Sequence, residues 1–469
     1  MKNEFVIATN YIDFQDKKFE LAIRTKLNKP KGKIYIEDVK DITKLDLSKY
    51  NIKIIRELEY FTNLQELKIN LPGIKDLSLL KELTELEILF IVNSVSSDQS
   101  QYNLNFIAKL TNIKELYIKS INLNEINANL LNNLVNIRKL YLYKTSIKEI
   151  SFVNNLKKLE ELTIKGSFLT RNHVRDITPL KNLLKLKTLE LSFNSEIIQS
   201  CDPLINLVKL EELNFEFTRI KSIDSISNLT NLKTMNLMST HIPNITSLSN
   251  LSNLEYLNLA RVGLEDLNPL SSLLNLKKLN LRDNLIKDIS PLSTLIKLET
   301  LNLSGTGLEN ITPLKNFKNL KELNLSSSET FCKNKINDIA PLKDLVTLEK
   351  LKLYNNDIQN IYPLKDLVNL RVLDITENDI QDITPVGNLK KLRILRLASN
   401  NLRNISSVVN LDKLEQLILT SNDIDDISPL MELNNLKTVV LTGNDIKEKA
   451  PKNIEIAKRL RKRGVEVIY

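Results

Sequence analysis

The chain has 469 residues, 42% hydrophobic and 26% charged, with a formal net charge of +9 and both signs interspersed. That balance does not mark a nucleic-acid binder, and nine glycines with no tryptophan argue against a loop-rich enzyme built on glycine turns. No uncharged apolar run approaches the roughly 20 residues that span a bilayer, and Cys201 and Cys332 have no metal-like spacing, which fits a reduced compartment.

At the N-terminus, Glu4, Asn10, Asp13 and Asp16 interrupt any stretch that would serve as a signal-peptide core. A cytoplasmic location is therefore expected, with secretion by a non-standard route as the alternative. Asp16 is placed to cap a helix in which Phe19, Ile23 and Leu27 recur every fourth residue, ending at Asn28 and Pro30. Residues 1–41 are expected to form a helical N-terminal cap.

From Ile42 the pattern L-x-x-L-x-L takes over. Its starts fall at Ile42, Leu64, Leu86, Ile113, Ile137, Leu159, Leu186 and Leu210, then at Leu232, Leu254, Leu276, Leu298 and Leu320. They continue through Leu348, Leu370, Leu392, Leu414 and Leu436. About 18 repeats are predicted over residues 42–446, most of them 22 residues long. In the unit from Leu276, Leu279 and Leu281 alternate with polar residues, the period of a strand with one face buried. Asn284 follows, where its amide can bond turn backbone, and Ile286 and Ile289 return the chain inward. Pro291 then sets φ for a short 3₁₀ or helical turn that buries Leu292 and Leu295.

One such coil cannot cover its own edges, so the units must stack with their strands paired in parallel. The expected fold is an α/β repeat solenoid, with a parallel β-sheet on the concave face and short 3₁₀ turns on the convex face. The unit at Leu86 carries an insertion around SVSSDQSQYN, and the unit at Leu320 is 28 residues long and contains Cys332. Residues 447–469 are expected to close the stack. Pro451 starts a helix bearing Ile456 and Leu460, Gly464 ends it, and Val465, Val467 and Tyr469 alternate as a last strand. This segment holds eight Lys and Arg against three Glu, which reads as a solvated end cap before it reads as a site for nucleic acid or an anionic membrane.

Residues exposed on the strands define the candidate site. Near the N-terminal end, Phe90, Tyr117 and Tyr141 share one column, flanked by Ile88, Val92 and Tyr143. Aromatic residues clustered on a polar face are the composition of a binding hot spot, and this patch is the expected partner contact, overhung by the insertion in the Leu86 unit. Further on the same column reads Asn214, Asn236, Asn258, Asn280, Asn302 and Asn324. Stacked amides of this kind bond along a sheet, a scaffold feature first and a polar binding track second. His173 and His241 lie three repeats apart with no zinc-protease spacing, and no phosphate loop or nucleophile elbow occurs, so no catalytic residue, metal or cofactor is expected.

The D-I-x-P-L-x-x-L element, as in Asp288-Ile289-Ser290-Pro291-Leu292 and Asp426-Ile427-Ser428-Pro429-Leu430, resembles the 22-residue class of leucine-rich repeats. That class occurs in bacterial internalins and in regulatory subunits of protein phosphatase. Residues Phe19 to Ser48 are similar to the helical N-terminal cap of internalin-like proteins. The resemblance implies a right-handed leucine-rich-repeat horseshoe or arc of bacterial origin. It further implies a non-enzymatic scaffold that binds a protein partner, with an internalin-like adhesin or secreted effector, or a regulatory subunit of an enzyme such as a phosphatase, as alternatives.

Overall fold

The computed structural model describes residues 10–74, 76–95, 102–123, 128–328, 331–444, 446 and 451–469. Helix α1 (Lys17–Leu27) begins where Asp16 accepts the backbone N–H groups of Lys18 and Phe19, and it ends at Asn28 in the left-handed region, φ 51°. Phe19 and Ile23 are buried as the four-residue period predicts, with Ala22 beside them, while Leu27 is half-buried. The other Asp16 oxygen accepts from the N–H groups of Lys53 and Ile54, at 2.7 and 3.3 Å, which ties the cap to the first repeat. Burial opposes ionisation of Asp16, but these four donors together hold its carboxyl below the ordinary value. A short helix α2 (Ile36–Lys40) leads into the sheet.

The chain divides into two compact units, one ending at Leu232 and the other beginning at Lys233. In the first, a parallel sheet contains β1 (Lys44–Asp46), β2 (Glu66–Asn70), β3 (Ile88–Val92), β4 (Glu115–Lys119), β5 (Lys139–Tyr143), β6 (Glu161–Lys165), β7 (Thr188–Glu190) and β9 (Glu212–Asn214). A separate parallel pair joins β8 (Ile197–Ile198) to β10 (Arg219–Ile220). In the second unit the parallel strands are β11 (Thr234–Asn236), β12 (Tyr256–Asn258), β13 (Lys278–Asn280), β14 (Thr300–Asn302), β15 (Glu322–Asn324) and β16 (Lys350–Lys352). They continue as β17 (Val372–Asp374), β18 (Ile394–Arg396), β19 (Gln416–Ile418), β20 (Thr438–Val440) and β21 (Glu466–Ile468). Each strand from β1 to β20, the β8 and β10 pair apart, begins two residues after a predicted repeat start.

Within a repeat the apolar positions fill the interior: Leu279, Leu281, Ile286, Ile289, Leu292 and Leu295 are all at most 1% exposed. Burying each such side chain contributes about 1.5–3 kcal/mol, and this term holds the coils together. Pro291 lies in the first turn of the 3₁₀ helix Ser290–Thr294, as its fixed φ requires.

Polar side chains seal the turns in three recurring ways. Behind the strand, Asn378 donates to the carbonyls of Leu353, Ile375 and Thr376, and accepts from the N–H of Ile358 in the preceding repeat. Asn284, Asn334, Asn356 and Asn400 bond in the same manner. Ahead of the strand, Asn275, Asn319 and Asn369 each donate to a carbonyl of the preceding repeat, at 2.8–2.9 Å. Before the 3₁₀ turn, Asp288, Asp382 and Asp426 accept the N–H two residues on, at 2.8–2.9 Å. The abundance of asparagine thus follows from backbone groups that stacking leaves without partners.

At the C-terminal end, helix α3 (Pro451–Lys462) buries Ala457 and Leu460, with Ile456 half-buried, and β21 pairs with β20. Arg463 donates to the carbonyls of Met431 and Leu433, while Arg461 donates to that of Val467. Lys452 pairs with Asp426 and Arg459 with Glu455. Much of the basic charge of this segment is therefore joined to the chain itself; residues 447–450 lie outside the described part.

Candidate functional site

Strands β3, β4 and β5 each alternate buried residues with half-buried or exposed ones, and their in-register pairing sets Phe90 beside Tyr117 and Tyr117 beside Tyr141. Leu89, Ile91, Leu116, Ile118, Leu140 and Leu142 point into the core, so the aromatic residues must take the open face. The three rings stack face to face, with centroids 4.0 and 4.3 Å apart and planes inclined by 8° and 5°. Lys68, next in register, holds its ammonium 4.6 Å from the Phe90 centroid. The expected patch is thus a single stacked column, in which ring faces are covered and ring edges reach outward.

A polar frame fixes that column. Tyr141 donates to the Glu161 carboxylate, and Tyr117 to Oε2 of Glu115 at 3.3 Å. Lys139 lies between those carboxylates, 3.6 Å from Glu115 and 3.3 Å from Glu161, and the charge of Glu115, then the charge and hydrogen bond of Glu161, raise its pKa. Burial, then the Glu161 bond, pushes the Tyr141 phenol above its ordinary value and keeps it a donor. Ile88, Val92 and Tyr143 are half-buried on the same face, and Lys119 and Lys144 stand 5.5 and 5.4 Å from the Tyr143 ring. The insertion expected to overhang this patch includes residues 96–101, outside the described part.

The asparagine column is built differently. In the second unit the register sets Asn236, Asn258, Asn280, Asn302 and Asn324 side by side. Each amide oxygen accepts the N–H two residues further along its own chain, at 3.0–3.2 Å. Asn214, in the first unit, accepts from Glu216 in the same way and donates to Glu190 at 3.3 Å. Local strand-end bonding therefore engages these oxygens, whatever passes along the column.

Of the residues considered for chemistry, His173 Nδ1 lies 2.8 Å from Ser195 Oγ and 3.4 Å from Glu196. It borders an open cleft of 660 Å³ shared with Lys148, Arg175 and Asp176. One ring nitrogen facing both the hydroxyl and the carboxylate is not a relay, which needs the two on opposite nitrogens. His241 is exposed. Cys201 is buried, and burial pushes its thiol far above the ordinary value, so it is no nucleophile; Cys332 is half-buried. No cluster of three or more His, Cys, Asp or Glu among the described residues is placed to hold a metal.

A second aromatic group escaped the strand pattern. Phe168, Phe193 and Phe217 cluster with centroids 4.9–5.0 Å apart, beside Leu169, at the rim where β6, β7 and β9 leave the sheet. The available signal was the extra GSFLT stretch in the unit from Leu159, which breaks the repeat with two large apolar residues.

Two leucine-rich-repeat profiles match the chain, one described as Leucine Rich repeats (2 copies) over residues 346–388 and one as Leucine rich repeat over residues 368–424. A leucine-rich-repeat protein of Leptospira interrogans superposes with a TM-score of 0.73 at 23% identity, over 86% of this chain and 100% of its own. The chain is a leucine-rich-repeat protein. The functional domain of InlJ from Listeria monocytogenes, which includes a cysteine ladder, matches this repeat protein with a TM-score of 0.54 at 19% identity, over 92% and 80% of the two chains. The plant peptide hormone receptor RGFR1, in complex with RGF2, matches with 0.57 at 18%, over 82% and 67%. These likenesses, all below 25% identity, show a shared fold, and in fold the repeat protein resembles the internalins. No curated protein matches its sequence. No helix among the described residues is long and apolar enough to cross a membrane.

Proposed function

We propose that this repeat protein is a non-enzymatic scaffold that binds a protein partner on the open face of its first unit. The observation that carries the reading is the stack of Phe90, Tyr117 and Tyr141, framed by Glu115, Lys139 and Glu161. Three aromatic rings locked in place on a solvated face lose little freedom when a partner covers them, and their edges and hydroxyls offer mixed apolar and polar contact. The core is already complete beneath them, so their large side chains are not needed to close it. The solved structure of a receptor of this fold in complex with RGF2 supports a binding role by analogy.

The test is quantitative affinity capture from the source cell with the full chain and with the triple variant Phe90→Ala, Tyr117→Ala, Tyr141→Ala. A protein retained by the parent chain should be lost from the variant, with at least a tenfold fall in affinity, since central aromatic anchors carry about 2 kcal/mol or more each. Unchanged affinity, with circular dichroism showing the fold intact, would refute the site.

A further inference from the structure

The rim cluster of Phe168, Leu169, Phe193 and Phe217 lies outside the stacked column, and the core does not require it. Phe168 is 64% exposed and Leu169 98% exposed. They sit at the tip of a closed turn: Ser167 N–H donates to the Thr170 carbonyl at 2.7 Å, and Thr170 N–H returns to Ser167 Oγ at 3.1 Å. The turn is pressed onto the next repeat. Gly166 N–H donates to the Ser192 carbonyl, and a Cβ at Gly166 would lie 2.5 Å from the Phe193 carbonyl oxygen. Phe168 then meets Phe193 and Phe217 edge-on, while those two rings stack with an inclination of 21°.

Both stacked rings come from residues with positive φ, 55° at Phe193 and 53° at Phe217. Elsewhere this corner of the repeat is taken by polar or charged residues, among them Ser239, Arg261, Asp283, Asn355, Glu377 and Ser399, so Phe193 and Phe217 bring large apolar side chains to a position that is otherwise hydrophilic. Two bulky residues held there in successive repeats, half-buried beneath a protruding Phe-Leu tip, form an apolar notch whose tip carries the two most exposed large hydrophobic side chains among the described residues.

The charges around the notch select its partner. Glu190 is paired with Lys165 at 2.8 Å, and Glu196 with Arg175 at 2.9 Å. Arg171, two residues beyond Leu169, and Arg219, two beyond Phe217, are exposed and form no ion pair among the described residues. We infer that the notch docks a short protein segment in which an aromatic or aliphatic side chain is flanked by Asp or Glu. The apolar side chain packs against the exposed Phe168 and Leu169 and the outer edges of Phe193 and Phe217, and the carboxylates meet Arg171 and Arg219.

The full chain would be used to select short peptides from a random displayed library, with the double variant Phe168→Ser, Leu169→Ser as the counter-selection. Both positions are exposed, so the fold should persist. Enriched peptides should carry Phe, Tyr, Leu or Ile next to Asp or Glu. Their synthetic forms, read by fluorescence anisotropy, should bind at least tenfold more weakly to the double variant and to Arg171→Glu, and more weakly as salt rises. Tyr117→Ala should leave that binding unchanged, which separates this notch from the stacked column. Enriched peptides without acidic residues, equal binding to both variants, or no enrichment would overturn the inference. So would flotation with vesicles of phosphatidylcholine and phosphatidylglycerol that the double variant abolishes.

Discussion

At the scale of single residues, asparagine chemistry recurs most. The amide of Asn378 joins two repeats because it offers donors and an acceptor at once, and all its partners are backbone groups that the coil buries. Replacing it with alanine leaves the buried Ile358 N–H without its acceptor, while the Leu353, Ile375 and Thr376 carbonyls keep Asn356, Asn400 and the Asn355 N–H as donors, so Asn378→Ala should cost about 1–3 kcal/mol in urea unfolding. Asn404→Ala, which removes only the exposed acceptor for Ser406 N–H, should cost under about 1 kcal/mol. The turn role of Asn284 was legible, because its amide chemistry suits a bend just past a strand. Sequence placed Asn236 on the exposed face of its strand but left Asn369 unassigned, since its bond to the Val346 carbonyl of the preceding repeat depends on how the backbone turns it. Phe193 and Phe217 stayed hidden for a related reason: nothing in their identity announces a positive φ.

At the scale of the element, the 3₁₀ turn is set by Pro291 and its counterparts on one side and by aspartate on the other. Sequence reading assigned the proline its task but left Asp288 unexplained. Hydrogen bonds from Ser290, Thr384 and Ser428 hold the carboxyls of Asp288, Asp382 and Asp426 below their ordinary range. A depressed folded pKa contributes stability that is present above the unfolded value near pH 4 and is lost as pH falls through the folded value. The melting temperature of the parent chain should therefore drop between pH 5 and about pH 2. In the triple variant Asp288→Asn, Asp382→Asn, Asp426→Asn, thermal melts across that window should show a shallower drop. An identical drop would assign the acid sensitivity to other groups. Helix α1 was legible almost to its ends, because Asp16 and Asn28 are residue types that caps require. That Asp16 also binds Lys53 and Ile54 was not, as contacts across some 40 residues leave no local trace.

For the whole molecule, the leucine spacing was sufficient to locate the repeat strands, since one face of each must be buried and only one register does it. The division at Leu232 and Lys233 was invisible, because the 22-residue interval runs through it unbroken. A stack of this kind is stabilised by each repeat and its neighbours. Leu395, fully buried in β18, should cost about 2–5 kcal/mol when replaced by alanine. Amide exchange should quicken most in β17, β18 and β19, and least at β12 and β13. Uniform quickening throughout the second unit would instead mean that it unfolds as one body.

The in-register pairing of Asn258 with Asn280 and Asn302 also makes the repeat an interchangeable part. Excising residues 276–297 would bring Asn258 directly against Asn302, with the buried leucines on either side already matched. Outward-facing residues can thus be lost, copied or reordered by whole rows, and the recognition surface edited, while the leucine layer beneath the strands keeps its register.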